Sequence, residues 1–174
     1  KFVCAYDSVG PRHTPPHTPC TPQRLATIGC SDVPEPDPDP LDGGGHGTHV
    51  SGISAGHGVD AIGDGVAPGA QLVGLKLYGT GGADEAADVL VDSIEWCAKV
   101  NLGTETRGVV PPRVDAINIS LGEDFAQGSR MFDEAVEAAV GSGIVIAASA
   151  GNSGNRHFVL GVPSASPKVL SVAN

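Results

Sequence analysis

Basic side chains are scarce in this 174-residue chain: Lys and Arg number 10 against 20 Asp and Glu, a formal charge of −10 with His neutral. A surface of that sign repels phosphate and argues against a nucleic-acid partner. Long apolar runs are also missing. None approaches the ~20 residues that cross a bilayer, so no membrane partner is expected. Aromatic residues are only 4%, whereas Gly numbers 25 and Pro 14, a balance that suits close backbone packing and turns rather than an aromatic-filled core. The four cysteines, Cys4, Cys20, Cys30 and Cys97, form no CxxC pair, which argues against a zinc ribbon or a thioredoxin-type site. They allow three complete pairings, and the sequence does not choose among them. A Cys20–Cys30 bridge suits a secreted protein; unconnected thiols are the other reading. No initiating Met, signal peptide or basic leader opens the chain. Lys1 and the apolar run that stops at Asn174 both read as cuts in something longer.

What is present suffices for a folded core, with 40% hydrophobic and 17% charged residues, in the length of one domain or part of a larger one. Residues 1–42 read as an irregular surface loop, with a short strand at Phe2–Tyr6. The prolines crowded into 11–19 and 34–40 fix φ and remove backbone donors, which excludes helix and central strand there. Residues 43–174 are regular and show no internal repeat. Gly47–Gly56 reads as a short helix of small residues, able to pack close to its neighbours.

Strands are predicted at Gln71–Tyr78, Val114–Leu121, Gly143–Ala150 and Lys168–Val172. The unbroken apolar run at 143–150 suggests a strand covered on both faces. Helices are predicted at Ala83–Val100 and Arg130–Val140. The first turns Ala83, Ala87, Leu90, Ile94 and Cys97 inward, making Cys97 a core thiol, and keeps Asp88, Asp92 and Glu95 wet. Asp84 and Glu85 suit the positive end of its dipole. The second buries Phe132, Ala135, Val136 and Ala139, with Ser129 as candidate N-cap and Gly141 as candidate stop. Strands alternating with helices imply a parallel α/β sheet. Ligands bind such sheets beyond the carboxyl ends of the strands. Here those ends are Tyr78–Gly82, Ser120–Gly122 and Ala150–Gly154, all glycine-rich.

Chemistry enters at Gly45-His46-Gly47-Thr48-His49-Val50-Ser51-Gly52, where a histidine stands at the start of a helix of small residues. A neutral imidazole there can act as a general base. Three further blocks follow in order. Gly65-Val66-Ala67-Pro68 leads to Lys76-Leu77-Tyr78-Gly79. Asn118-Ile119-Ser120-Leu121-Gly122 ends one strand. Ala148-Ser149-Ala150-Gly151-Asn152-Ser153-Gly154 ends another, ahead of Val162-Pro163-Ser164-Ala165. Together these resemble the motifs of the subtilisin-like serine proteases, the subtilases. The resemblance runs from about 42 to 174 and more loosely back to Lys1. Tyr6-Asp7-Ser8-Val9-Gly10 and the acidic loop Asp37–Asp42 look like segments of the longer secreted members.

The resemblance implies a three-layer, doubly wound parallel α/β fold, incomplete at both ends. Residues 1–42 become a loop region of the catalytic domain and 43–174 its central part. It implies a secreted serine endopeptidase acting on extended polypeptides by acyl transfer, with an inhibitory propeptide as a further partner. His46 matches the catalytic base and Asn152 the oxyanion-hole amide. Substrate would pair as an added strand with Gly79, Thr80, Gly81 and with Ser120, Leu121, Gly122, while Leu121, Ala150 and Gly151 wall the primary pocket. His49 is read as packing within the helix region.

The triad is incomplete. No Gly-Thr-Ser-Met-like nucleophile segment occurs in the 174 residues, and Ser164 precedes a strand where the family's serine opens a helix. The chain is therefore expected to be inactive alone. Asp7 is a weak match to the triad acid, because Val9 separates Ser8 from Gly10 and the stretch fits a later family segment better. Asp42 matches a non-catalytic acidic position of the family.

The rival classes fare worse on spacing. His46 and His49 are an i, i+3 pair without the intervening Glu of helical zinc proteases, so no metal ligand is assigned. Gly56-His57-Gly58-Val59-Asp60-Ala61 formally matches a dinucleotide fingerprint but follows a helix instead of opening one. A non-catalytic subtilase-like binding or scaffold protein stays open, since a chain without its serine cannot acylate. No cofactor is required. Structural calcium is the one candidate, with Asp37, Asp39, Asp42, Asp60 and Asp64 as oxygen donors in no recognisable ligand loop.

Overall fold

The computed structural model describes residues 2–7, 41–59, 63–78, 86–106, 111, 113–125, 130–157 and 159–173, with the backbone alone for 2–7 and Ala86. The Pro-rich stretches, Cys20, Cys30, Ala83, Asp84, Glu85 and Ser129 lie outside the described residues. In chain order the elements are β1 (Phe2–Asp7), α1 (His46–Ala55), β2 (Leu72–Lys76), α2 (Ala86–Asn101), β3 (Ala116–Ile119), α3 (Arg130–Gly141), β4 (Val145–Ser149) and β5 (Leu170–Val172). Over the described residues α2 and α3 fall where the apolar spacing put them, and α1 where the run of small residues put it. Strands β2 to β5 are shorter than their apolar runs, because only the inner residues enter a ladder.

The chain forms two compact units, Lys1–Leu90 with Thr106–Pro111, and Val91–Glu105 with Pro112–Asn174. In the first, β1 and β2 pair in parallel, ending with Asp7 opposite Lys76. Helix α1 carries no apolar face, and Ala55 is its one buried residue. It is held instead through its backbone. The amides of Gly65, Val66 and Ala67 donate to the carbonyls of Gly56 (2.9 Å), Ile53 (2.9 Å) and Ser54 (2.8 Å), capping the end of the helix. Gly65 lies so close that an added Cβ would meet Gly52 O and Gly56 N at 2.7 Å and Ile53 O at 2.8 Å. The small residues of α1 and the Gly-Val-Ala-Pro block thus have one physical cause, a backbone-to-backbone seat.

The second unit holds a three-stranded parallel sheet in the order β3-β4-β5. Helix α3 packs against β4. Its buried side chains are Phe132, Ala135, Val136 and Ala139, the face read from the sequence. Leu90, Ile94 and Cys97 of α2 are buried as predicted, but Ala87 is exposed. The buried surface of α2 is broader than one stripe and takes in Val91, Trp96, Ala98 and Val100. Charge is confined to Asp88, Asp92, Glu95 and Lys99, with Lys99 Nζ bonded to Glu95 at 2.8 Å. Asn101 closes the helix. Its amide donates to Val114 O (2.8 Å) and Ser142 O (3.3 Å), and its carbonyl accepts from Val114 N (2.8 Å).

Two expectations need correction. Gly141 does not stop α3; it is the last helical residue, and the left-handed turn falls at Gly143, φ 93°. Nor is β4 covered on both faces. Ile146 and Ala148 are buried, but Val145 is 55% exposed, and Leu170 and Val172 of β5 are exposed as well. The pleat sends alternate side chains to opposite faces. One face meets α3; the other stays open among the described residues.

Candidate active site

In the first unit the candidate site residue His46 stands at the start of α1. Gly45 is the N-cap, with φ 84°, a conformation glycine adopts without strain and which leaves the helix no capping side chain of its own. His46 follows as the first helical residue, exposed to solvent. Asp42 takes over the capping. Its Oδ1 accepts from the amides of Gly44 (2.9 Å) and Gly45 (2.8 Å), and its Oδ2 from both the amide and the hydroxyl of Thr48 (2.7 Å each). The Thr48 hydroxyl bond, then the Thr48, Gly45 and Gly44 amides, hold this carboxyl far below the usual aspartate range. His49 is exposed rather than packed, because α1 has no apolar surface to bury it. Asp64 Oδ1 accepts from Gly58 N at 2.7 Å. Tyr78, whose hydroxyl is pushed up in pKa by burial, follows β2 just before the predicted substrate segment. Gly79, Thr80 and Gly81 themselves lie outside the described residues, as do Asp37, Asp39 and Asp60. Asp7 ends β1, and its side chain is not described.

In the second unit, β3 and β4 are parallel neighbours with Ile119 beside Ala148. Ser120–Gly122 and Ala150–Asn152 therefore leave the sheet side by side at its carboxyl edge. Ala150 N is anchored on Val172 O at 2.8 Å. The chain then turns at Gly151, φ 96°, which presents Asn152 in the exposed loop. On the β3 side, Asn118 Nδ2 donates to Ser120 Oγ at 2.9 Å. The following backbone is tied down twice, Glu123 N to Val162 O (3.0 Å) and Phe125 N to Val159 O (3.2 Å). A Cβ on Gly122 would meet Val162 O at 3.2 Å, so the Val-Pro-Ser-Ala block serves as a brace for this segment.

Sequence reasoning missed Asp124. A Cβ on Gly151 would lie 2.9 Å from its Oδ1, so the carboxylate sits against the turn that carries Asn152. No motif signals it, since the approach is made across two loops. Ser164 is buried and donates to Gly161 O at 3.1 Å, committed to its own turn. Among the described residues no group of three or more His, Cys, Asp or Glu is placed to hold a metal ion. Nor is any helix among them long and apolar enough to cross a membrane.

The sequence model of the Subtilase family matches residues 18–174. The chain belongs to the subtilase family. It is 34% identical over 151 residues to the serine protease AprX of Bacillus subtilis, covering 83% of this chain and 33% of that protein. It is 36% identical over 138 residues to a subtilisin-like protease 3 of Arthroderma benhamiae, covering 79% and 31%. The subtilase chain thus spans about a third of these relatives' length.

Among solved structures it resembles the S41 psychrophilic protease, with a TM-score of 0.59 and 29% identity over 71% of this chain and 37% of that one. A protease structure from Pseudoalteromonas arctica covers 99% of the subtilase chain and 50% of its own, with a TM-score of 0.69 at 23% identity, a likeness of fold. The fold is the α/β fold with parallel strands expected from the sequence.

Proposed function

We propose that this subtilase chain is the central part of a secreted serine endopeptidase, with His46 as the general base and Asn152 as the oxyanion donor. In this reading His46 takes the proton of a serine hydroxyl as it attacks the peptide carbonyl, then delivers it to the leaving amine. The Asn152 amide donates to the oxygen on which charge develops. Substrate lies extended along Ser120–Gly122, with Leu121, Ala150 and Gly151 around its primary side chain, and Gly79–Gly81 match the family's other substrate-pairing segment. The observation that carries the reading is the pairing of β3 with β4. It sets the Ser120–Gly122 segment and the Asn152 turn side by side at the sheet edge where α/β proteins bind ligands, which supports these roles.

The nucleophile is not among the 174 residues. They hold no Gly-Thr-Ser-Met-like segment, and Ser164 is buried in its turn. The isolated chain is therefore inactive, and a propeptide that mimics substrate is its expected inhibitory partner. The chemistry itself requires no cofactor.

An active-site fluorophosphonate probe tests this. The full-length protein takes up one equivalent and cleaves a denatured polypeptide, while the 174-residue chain stays unlabelled. Labelling of the short chain would refute the missing nucleophile. A full-length protein that binds peptides but neither labels nor cleaves would favour the scaffold reading.

A further inference from the structure

We infer that Asp42 is the positioning residue of this site, fixing where the His46 ring stands. The inference rests on the proposed role of His46, and the evidence for it is the bonding around that histidine. Both Asp42 oxygens are engaged, by the amides of Gly44 and Gly45 on the one side and by the amide and hydroxyl of Thr48 on the other. These partners lie two and one residues before His46 and two after it. The carboxylate thus clasps the backbone on both sides of the histidine. Gly45 provides no side-chain cap and takes a left-handed φ of 84°, so the capping comes from Asp42. The first turn of α1 carries no acidic residue, so Asp42 is also the negative charge that meets the positive end of the helix.

Among the described residues α1 buries only Ala55, at its far end, so no apolar side chain of its own anchors the end that bears His46. Proton transfer demands placement of the base to a fraction of an ångström. Asp42 itself touches no reacting atom in this account; it acts through the backbone that bears His46. The Cys97 thiol is packed in the core, and nothing in the structure says what covers the open face of the β3-β4-β5 sheet.

The test is made in the full-length protein with Asp42→Asn, Asp42→Ala, Thr48→Val and Thr48→Ser. Asparagine keeps one acceptor oxygen for Gly44 and Gly45 and turns an amide donor toward Thr48, which is itself a donor. The expected result for Asp42→Asn is a fall in kcat of about 10–100-fold with KM little changed, the scale of an ångström's misplacement of a catalytic group. Thr48→Val gives a smaller fall, and Thr48→Ser restores most of the rate because it keeps the hydroxyl. The His46 ring Cε1–H resonance shifts or broadens, and the Thr48 amide exchanges faster, in Asp42→Asn.

Unchanged kcat in Asp42→Asn overturns the inference. So does a fall in kcat with an unchanged His46 resonance. Should His46→Ala itself leave turnover intact, the proteolytic reading fails on its own. The resonance and exchange data then still decide whether Asp42 positions the ring, and unchanged signals reject it.

Discussion

Replacing Gly65 by alanine probes the seat of α1 directly. The added Cβ would stand 2.7–2.8 Å from Gly52 O, Gly56 N and Ile53 O, all backbone atoms with no freedom to rotate away. Relief requires the segment to lift by about 0.7 Å to reach ordinary van der Waals contact near 3.4 Å. That movement stretches the bonds from Gly65, Val66 and Ala67 to the end of the helix, now 2.8–2.9 Å, beyond useful length. At about 0.5–1.5 kcal/mol for each bond lost, and with these groups partly open to water, the cost is about 2–3 kcal/mol. In a chain of this size that lowers Tm by about 4–12 °C.

The assay is thermal unfolding followed by circular dichroism, with amide exchange at Val66 and Ala67. Gly69→Ala is the control, since a Cβ there meets nothing within 4 Å. A Gly65→Ala protein melting together with the Gly69→Ala control would refute the reasoning.

Three further outcomes follow from the same geometry. Asn101→Ala removes the clamp between α2, Val114 and Ser142 and is expected to cost about 1–3 kcal/mol in chemical denaturation. Asn101→Asp costs at least as much at neutral pH, because a carboxylate then faces two carbonyls. Ser93 buries a hydroxyl that has no hydrogen-bond partner among the described residues, so Ser93→Ala is expected to leave stability unchanged or raise it by about 1 kcal/mol, read by the same denaturation. Asp42 is depressed in pKa by its hydrogen bonds, chiefly that of Thr48, so its charged form favours the folded loop. That stabilisation is present above the ordinary aspartate range, near 3.8, and is lost as pH falls through the lowered value of the folded state. An NMR titration of the Asp42 carboxyl carbon checks this, and a midpoint at or above 3.8 would contradict it.

The elements built on local periodicity were legible. Phe132, Ala135, Val136 and Ala139 form one face at helical spacing, and that face is the one α3 buries. The polar stripe of α2 was visible at Asp88, Asp92 and Glu95, although the breadth of its buried surface was not. Trp96 and Val91 lie beside the expected stripe, and only the packing of the whole unit covers them. The stop of α3 was misplaced by two residues because Gly141 and Gly143 are equally able to leave the helix, and the turn geometry chooses the second. Motif order pointed to His46 and Asn152 as candidates. It was silent about the four bonds to Asp42, the approach of Asp124 to Gly151 and the brace from Val162, since each depends on chain segments meeting in space.

The most direct test of the central claim is the steady-state kcat of Asn152→Ala in the full-length protein, measured beside His46→Ala on one peptide substrate. Loss of the amide is expected to lower kcat by about 10²–10³ with little change in KM, the scale known for this donor in subtilisin, the type case of the effect. His46→Ala lowers it further. A kcat for Asn152→Ala equal to that of the unaltered protein would contradict the proposal that this turn stabilises the oxyanion.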